Sequence, residues 1–154
     1  MKPYSIRPAL PPDLDVILGH RLRMFQDMGH HDVAALEKSV ASSRPLLEQR
    51  LANGSYRGWL VEHPADGIVA GGGLITLDFQ ANPQDPEPRR TWIVNMYTEP
   101  AHRRRGLART LMETMLDWCR TSGMRSVSLH ASDHGRALYE RFGFRPTNEM
   151  RLEL

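Results

Sequence analysis

The sequence predicts an α/β or α+β layered domain in which helices pack on one mixed β-sheet. Three observations lead to this prediction. The chain has 154 residues, which is about the size of one domain. Its apolar residues switch between helical and alternating spacing, and the resulting order of segments is β-α-α-β-β-β-α-β-α-β. No repeat, linker or second domain is visible, so residues 1–154 are expected to form a single domain.

The N-terminal third reads as one strand and two helices. "YSIRPA" alternates apolar and polar residues and predicts a short strand. "PPDLDVILGHRLRMFQDMG" predicts a helix that starts near Pro12 and ends at Gly29. "VAALEKSVASSRPLLEQRLANG" predicts a second helix, interrupted near Pro45 and closed at Gly54.

The middle of the chain predicts three strands. "RGWLVE" and "IVAGGGLITLDF" flank Asp66 and Gly67, a pair typical of hairpin turns. Glycines 71–73 lie inside the second of these strands, where they predict a bulge or the close approach of another group. A polar, proline-rich loop follows, and "TWIVNMYT" predicts a strand that stops before Pro100.

The C-terminal third predicts a long helix, a strand, a short helix and a closing strand. The long helix runs from about Arg104 to Arg120 and stops at Gly123. One face of it is apolar and should pack on the sheet: Leu107, Ala108, Leu111, Met112, Met115, Trp118 and Cys119. "SVSLHAS" predicts a strand, "HGRALYERFG" a short helix, and the alternating "NEMRLEL" a strand that closes the chain.

The bulk composition is that of a soluble globular protein, with 40% hydrophobic and 25% charged residues. The formal charge of +2 is too small for a broad nucleic-acid-binding face. The N-terminus has no signal-peptide core, and no apolar run is long enough to span a membrane. The single cysteine, Cys119, fits a reducing compartment. A cytoplasmic protein without membrane or nucleic-acid partners is therefore expected.

An arginine-rich turn before the long helix is the strongest sign of a binding site. A helix N-terminus carries free N–H groups and the positive end of the helix dipole, so it attracts anions. Gly106 lets a bulky group approach the backbone there, and Arg103, Arg104 and Arg105 add positive charge. On these residues alone, an anion site and an ordinary basic turn remain open as alternatives. The known nucleotide-binding glycine motifs are absent.

The segment "RRRGLA" resembles the R/Q-x-x-G-x-G/A signature of the GNAT superfamily of acetyl-CoA-dependent N-acetyltransferases. The strand before it, the helix and strand after it, and "GRALYERFGF" resemble that family in order and spacing from about Arg57 to Phe144. The N-terminal third is similar only in layout. The resemblance implies a mixed, mostly antiparallel sheet that splays after its fourth strand, with helices on both faces.

The resemblance also implies where acetyl-CoA, as cosubstrate, would bind. The pyrophosphate would lie on backbone N–H groups of the arginine turn, and the pantetheine arm would pair with the fourth strand. These cofactor-binding residues would be Met96, Tyr97, Thr98, Arg103, Arg104, Arg105, Gly106, Leu107, Ala108 and Arg109. Ser132 stands where the family often has asparagine and would be a further contact.

Acetyl transfer to an amine needs a neutral amine, a polarised thioester carbonyl and help for the leaving thiolate. By resemblance, a backbone N–H at Met96 or Tyr97 polarises the carbonyl, and the hydroxyl of Tyr139 assists the thiolate. The alternative interpretation is that Tyr139 only packs on the sheet. Several family members use a glutamate of the fourth strand as base, whereas this chain has Val94 and Asn95 there.

The segment "DMGHHD" is a second polar cluster, and the first two helices wall the acceptor site in the family. His30 or His31 could deprotonate an ammonium there, although a solvated loop is the favoured interpretation. Glu99 is either a nearby base or an ordinary loop carboxylate. The histidines lack the spacing of a metal site, so no metal is expected.

The sequence therefore predicts an N-acetyltransferase that uses acetyl-CoA and an amine acceptor, a small molecule or a peptide, in a ternary complex. A homodimer is possible within the family. Two alternatives remain open: a non-catalytic acyl-CoA sensor or regulatory protein, and a nucleic-acid binder that uses the arginine triplet.

Overall fold

The structure is a computed structural model that describes residues 3–154. Nine helices and strands follow one another along these residues, joined by short 3₁₀ turns at Pro11–Asp13 and Pro100–His102. In chain order they are β1 (Ser5–Pro8), α1 (Leu14–Asp27), α2 (Val33–Asn53), β2 (Tyr56–His63), β3 (Gly67–Asp78), β4 (Arg89–Thr98), α3 (Leu107–Thr121), β5 (Val127–Ser128) and α4 (Arg136–Arg141). None of the helices within residues 3–154 has the length and apolar content needed to cross a membrane.

The five strands form one sheet in the order β1-β2-β3-β4-β5. Strands β1 to β4 are antiparallel, and β5 pairs with β4 in parallel. This confirms the expected mixed, mostly antiparallel sheet. The hairpin predicted at Asp66 and Gly67 joins β2 to β3, and Gly67 takes the positive φ of 72° that its turn requires.

Helices cover both faces of this sheet, as predicted. On one face, the apolar side of α3 packs through Leu111 and Met115 against Trp59 of β2 and Ile93 of β4. On the other face, α1 and α2 pack on the sheet in a separate cluster that contains Ile17, Leu18, Leu47 and Tyr56. The β4 strand thus lies between two helical layers.

The three central glycines of β3 let side chains of α1 and of the neighbouring strand β4 approach its backbone. A Cβ at Gly71 would stand 3.1 Å from Nδ1 of His20, and one at Gly72 would overlap the sulfur of Met96. The β3–β4 register shifts between Gly71 and Gly73. The sequence-based prediction of a bulge or a close approach at these glycines is confirmed in both respects.

The predicted closing strand "NEMRLEL" is wrong. The residues that should alternate inward are solvent-exposed, with relative exposures of 94% for Met150 and 80% for Leu152. Strand β5 forms the edge of the sheet but contains only Val127 and Ser128, where "SVSLHAS" predicted a longer strand. A strand needs hydrogen bonds from a neighbouring strand, and this segment has none within residues 3–154. The order of elements therefore ends at α4.

Two helix boundaries also differ from prediction. Helix α2 continues through Pro45, because burial of Leu36 and Leu47 on either side outweighs the one backbone hydrogen bond that proline removes. Helix α3 begins at Leu107 rather than Arg104, because Arg104 and Gly106 have φ of 59° and 83°, values that no right-handed helix can contain.

Candidate active site

A wide cavity of about 800 Å³ opens where the end of α1, the end of β4, the start of α3 and the short helix α4 meet. All predicted site residues except Arg105 line it: Met96, Tyr97, Thr98, Arg103, Arg104, Gly106, Leu107, Ala108, Arg109, Ser132 and Tyr139. The fold therefore brings together residues that lie far apart in the sequence. The lining also includes residues that the sequence did not single out, among them Met24, Leu138 and Arg141.

The arginine turn presents an uninterrupted row of backbone donors. The N–H groups of residues 104–109 hydrogen-bond to no acceptor within residues 3–154, and the first helical bond of α3 is from Thr110 N–H to the carbonyl of Gly106. Positive φ values at Arg104 and Gly106 wrap the chain into a concave turn. Successive N–H groups in such a turn, at the positive end of a helix dipole, form an anion-binding site.

The side chains of Arg103 and Arg105 are less free to bind an anion at this turn than the backbone N–H groups are. Arg103 donates to the carbonyl of Thr98 at 2.9 Å and pairs with the carboxylate of Asp27, so its charge is compensated. Arg105 donates to the carbonyl of Ala101 at 3.3 Å and does not line the cavity. The free hydrogen-bond donors of this turn within residues 3–154 are therefore mainly backbone N–H groups.

Strand β4 has an open edge along the cavity. Its pairing with β5 is limited to Thr91 and Trp92, and beyond these residues the two strands separate. The other edge of β4 stays paired with β3 up to Thr98. Asn95 has a φ of 58° at the register shift, so the chain bends just before Met96. An extended ligand could hydrogen-bond along this edge as an additional strand would.

Tyr139 is half-buried on α4, and its ring packs edge-on against Phe144, with 6.1 Å between the ring centroids. Burial raises the pKa of its hydroxyl above the usual value of 10. Tyr139 lines the cavity, and no residue within 3–154 hydrogen-bonds its hydroxyl, so the protonated donor has no partner. The tyrosine can donate a hydrogen bond to a ligand there, whereas a full proton transfer becomes less favourable.

The carboxylates next to the cavity are already in ion pairs. Asp27 pairs with Arg103. Glu99 lies 2.9 Å from Nη2 of Arg23 and accepts a hydrogen bond from the hydroxyl of Tyr97. Neither carboxylate is free to act as a base without first breaking these contacts.

The "DMGHHD" segment contributes only its first residue to the cavity. Asp27 lines the cavity, whereas His30 and His31 are exposed outside it and Asp32 caps α2 by accepting from the N–H of Ala35. The solvated-loop interpretation of the two histidines therefore fits the structure. Within residues 3–154, no group of three His, Cys, Asp or Glu side chains is arranged to hold a metal ion.

His102 fixes the start of the arginine turn, a role that the sequence did not reveal. Its Nδ1 lies 3.0 Å from the hydroxyl of Tyr4, and its Nε2 lies 3.3 Å from the carboxylate of Asp66. These contacts tie the turn to the N-terminal strand region and to the β2–β3 hairpin. Neither partner is near His102 in the sequence, so no local pattern could have indicated them.

Cys119 is 2% exposed on the apolar side of α3 and does not line the cavity. Burial raises the pKa of its thiol to about 11. The thiolate is the nucleophilic form of cysteine, so the structure gives no support to a covalent role for this residue.

A buried polar network joins α1, β4 and β2 beside the cavity, and of its members only Tyr97 lines the cavity. Arg21 donates from Nη1 to Oδ1 of Asn95 at 2.9 Å, and Nδ2 of Asn95 donates to the hydroxyl of Tyr56 at 3.4 Å. His20 stacks on Tyr97 with 5.1 Å between the ring centroids, and burial lowers the pKa of His20 to about 4. At neutral pH, Arg21 is the charged member of this network.

Comparisons with known proteins agree with this arrangement. Residues 25–144 match the model of the Acetyltransferase (GNAT) family. A GCN5-related N-acetyltransferase from Ralstonia eutropha JMP134 is 34% identical, with 98% of each chain covered and a TM-score of 0.92. A predicted acetyltransferase from Clostridium acetobutylicum, solved with acetyl-CoA, is 27% identical over 98% of this chain and 95% of that chain, with a TM-score of 0.87.

More distant structures share the fold alone. Glucosamine-6-phosphate N-acetyltransferase from Arabidopsis thaliana is 16% identical, with a TM-score of 0.69 over 98% of this chain and 97% of that chain. No curated protein sequence matches this chain. The family match over residues 25–144 and the identity of 34% over nearly the full length show that this chain belongs to the GNAT family and is an acyltransferase.

Proposed function

We propose that residues 1–154 act as one N-acetyltransferase domain that transfers the acetyl group of acetyl-CoA to an amine by direct attack in a ternary complex. One observation carries the proposal: a single cavity joins the row of free N–H groups at residues 104–109, the open edge of β4 and the hydroxyl of Tyr139. These are the donors that a phosphorylated acyl thioester requires at its two ends.

The residues of the arginine turn fit the phosphates of coenzyme A. The N–H groups converge on one concave surface, and nothing lies within 4 Å of a Cβ built at Gly106, so the surface is open to a bulky anion. Arg104, which is exposed, adds positive charge beside it, whereas Arg109 is paired with Glu113 at 2.8 Å. The cavity of about 800 Å³ falls within the usual range for sites that bind small molecules and cofactors.

Acetyl-CoA supplies an acetyl thioester when bound. The edge of β4 orients the extended arm of the cosubstrate, and a backbone N–H at Met96 or Tyr97 polarises the thioester carbonyl. The amine nitrogen then forms a bond to the carbonyl carbon while the bond from that carbon to sulfur breaks. The hydroxyl of Tyr139 donates a hydrogen bond to the departing sulfur, which leaves as thiolate and takes up a proton.

The amine must lose a proton during the reaction, and the structure offers no free carboxylate beside Met96. Asp27 and Glu99 are both paired with arginines. His20, with a pKa of about 4, is too weak a base near neutral pH. We propose that the acceptor binds as the neutral amine or loses its proton to water in the open cavity.

An assay of thiol release from acetyl-CoA across a library of small amines and peptides tests the proposal. We expect amine-dependent release of one free thiol per acetylated product, with mass spectrometry showing the acetyl group on nitrogen. Saturable CoA binding without thiol release for any amine would instead favour the sensor alternative. Salt-dependent oligonucleotide binding that CoA competes away would favour the nucleic-acid alternative. Dimerisation and a cytoplasmic location stay predictions.

A further inference from the structure

We propose that Arg21 binds an anionic group, a carboxylate or a phosphate, carried by the acceptor amine. This inference rests on the proposed function, because it names the class of acceptor for the same reaction. Arg21 itself does not line the cavity, but it is bonded to Asn95, the residue before Met96, which does. The inference begins with the contacts of the guanidinium. Arg21 is half-buried, and its one hydrogen-bond acceptor within residues 3–154 is the neutral amide oxygen of Asn95, at 2.9 Å from Nη1.

Arg21 lacks the counter-charge that other arginines around it possess. Arg23 on the same helix pairs with Glu99, and Arg103 pairs with Asp27. No carboxylate within residues 3–154 pairs with Arg21, and its Nε is buried without a hydrogen-bond partner. Two neutral groups lie beside the guanidinium of Arg21: the ring of Phe25, whose centroid is 4.8 Å away, and the hydroxyl of Tyr56.

An unpaired, half-buried cation is costly to keep in a folded protein. Desolvation lowers the pKa of Arg21, and the nearby phenol of Tyr56 is neutral, because burial raises its pKa to about 12. A bound anion would supply the missing counter-charge, and hydrogen bonds between an arginine and an anion are among the strongest in proteins. The network is therefore complete only when an anion is present.

The position of Arg21 along β4 assigns this anion to the acceptor. Strand β4 runs from Asn95 through Met96 to Thr98 and then toward the arginine turn. Phosphates at that turn and a thioester near Met96 place the cosubstrate on the Thr98 side. Asn95 and Arg21 lie on the other side of Met96, from which the attacking amine must approach. On α1, Arg21 lies one turn before Met24, which lines the cavity.

The spacing limits the size of the acceptor. Arg21 is held at Asn95, one strand residue before the expected thioester position. With a rise of about 3.3 Å per strand residue, Asn95 lies roughly 3 Å along the strand from Met96, so the amine and the anionic group of the acceptor should be only a few bonds apart. A short acceptor that carries both groups, rather than a large cationic one, is the class that fits.

Thiol release with matched acceptor pairs tests this assignment. The carboxylate pair is 4-aminobutanoate and 4-aminobutanamide, and the phosphate pair is 2-aminoethyl phosphate and 2-aminoethanol. In the wild type, the anionic member of at least one pair should have a kcat/KM that is about tenfold higher or more. The pair that shows the larger ratio identifies the anion as carboxylate or phosphate.

The Arg21→Gln variant should bring that ratio close to one, mainly by raising the KM for the anionic member, with the Kd for acetyl-CoA unchanged. Arg44→Gln removes the same charge from an exposed ion pair between Arg44 of α2 and Asp15 of α1, and it should keep the wild-type ratio. If Arg21 only positions Asn95, the substitution would lower kcat/KM equally for both acceptors of a pair. That result, or a wild-type ratio near one, would overturn the inference.

A binding measurement separates this inference from the proposed function. Butanoate and ethyl phosphate carry the anion without an amine, so they cannot react. At least one should raise the melting temperature of the wild-type protein with CoA bound, and should not do so in Arg21→Gln. No stabilisation of the wild type by either anion would overturn the inference even if amines are acetylated. Stabilisation without any thiol release would support anion binding while the proposed transferase reaction failed.

Discussion

The ring of Tyr56 occupies the space that a side chain at Gly73 would need. A Cβ at Gly73 would overlap the phenol ring and its hydroxyl, and Tyr56 is itself only 3% exposed. The same hydroxyl accepts a hydrogen bond from Asn95, which in turn holds Arg21. The glycine in β3 therefore leaves the space that Tyr56, and through it this hydrogen-bond network, occupies.

Gly73→Ala should destabilise the fold by about 1–3 kcal/mol, because a buried ring cannot move aside without strain in a packed core. Urea unfolding measures this loss. Gly19→Ala is the matched control, since a Cβ there would meet only Arg23, at 3.9 Å, in the middle of α1. The control should be neutral or slightly stabilising. Equal stability of the two variants would show that Tyr56 does not constrain Gly73.

Gly106→Leu should abolish the thermal stabilisation that CoA gives, because the leucine would project into the anion-binding turn. Gly123→Leu is a matched control at the other end of α3. Both glycines have positive φ, 83° and 76°, and a Cβ at either position would have no atom within 4 Å. Each substitution should cost about 1–2 kcal/mol of backbone strain. Undiminished CoA stabilisation in Gly106→Leu would contradict the assignment of the turn.

Tyr139→Phe should lower kcat by about 10², because it removes the donor to the departing sulfur and keeps the packed ring. The Kd for acetyl-CoA should change little, since the lost interaction belongs mainly to the transition state. With an acetyl thioester of a more acidic thiol, the difference in kcat between the wild type and the variant should be smaller, because a better leaving group needs less help. Full kcat in the variant, in an assay where chemistry limits the rate, would leave Tyr139 as a packing residue.

The free energy of unfolding should fall as the pH is lowered from about 6.5 to about 4. The pKa of His20 is about 4 in the folded protein, below the ordinary value of 6.5 that it regains on unfolding. Over this range the unfolded chain binds the proton and the folded protein does not. The stabilisation present above pH 6.5 therefore decreases, by about 3 kcal/mol in total.

Urea unfolding of the wild type and of His20→Leu across this pH range isolates the effect, because the other titrating groups are common to both proteins. As the pH is lowered, the free energy of unfolding of the wild type should fall by more than that of the variant. Parallel curves would show that His20 is protonated equally in both states.

Replacing His30 and His31 together by alanine should leave acceptor kinetics at wild-type values. Both side chains are exposed and lie outside the cavity, and the ring of His30 packs edge-on with that of Phe25. Steady-state kinetics with any acceptor identified by thiol release would measure this. A raised KM for the acceptor would restore the alternative that these histidines line the acceptor site.

Local patterns in the sequence were enough to predict most of the elements. The β2–β3 hairpin depends on Asp66 and Gly67, and the apolar face of α3 repeats at helical spacing, so both are encoded within a few residues. The prediction of a closing strand was wrong because alternation is a local property, whereas strand pairing depends on distant residues. Met150 belongs to an alternating segment, but the segment pairs with no strand within residues 3–154 and Met150 is exposed. Pro45 did not interrupt α2, because tertiary burial outweighed a local preference.

The candidate site divides in the same way. The arginine turn and Tyr139 lie in short segments whose order resembles a known family, so they could be identified before the structure. Arg21 and Asn95 are 74 residues apart, and only the packing of α1 on β4 brings them together. The ties that His102 makes to Tyr4 and Asp66 are likewise long-range contacts, so no periodicity indicated them.

The burial of Cys119 has a practical consequence for measuring this enzyme. It is the one cysteine of the chain, it is 2% exposed, and its thiol has a pKa of about 11. A colorimetric thiol reagent added to the folded protein should therefore report free coenzyme A with almost no background from the protein. The same burial should make the protein resistant to alkylating agents, so an engineered surface cysteine could carry a fluorescent label at a single defined position.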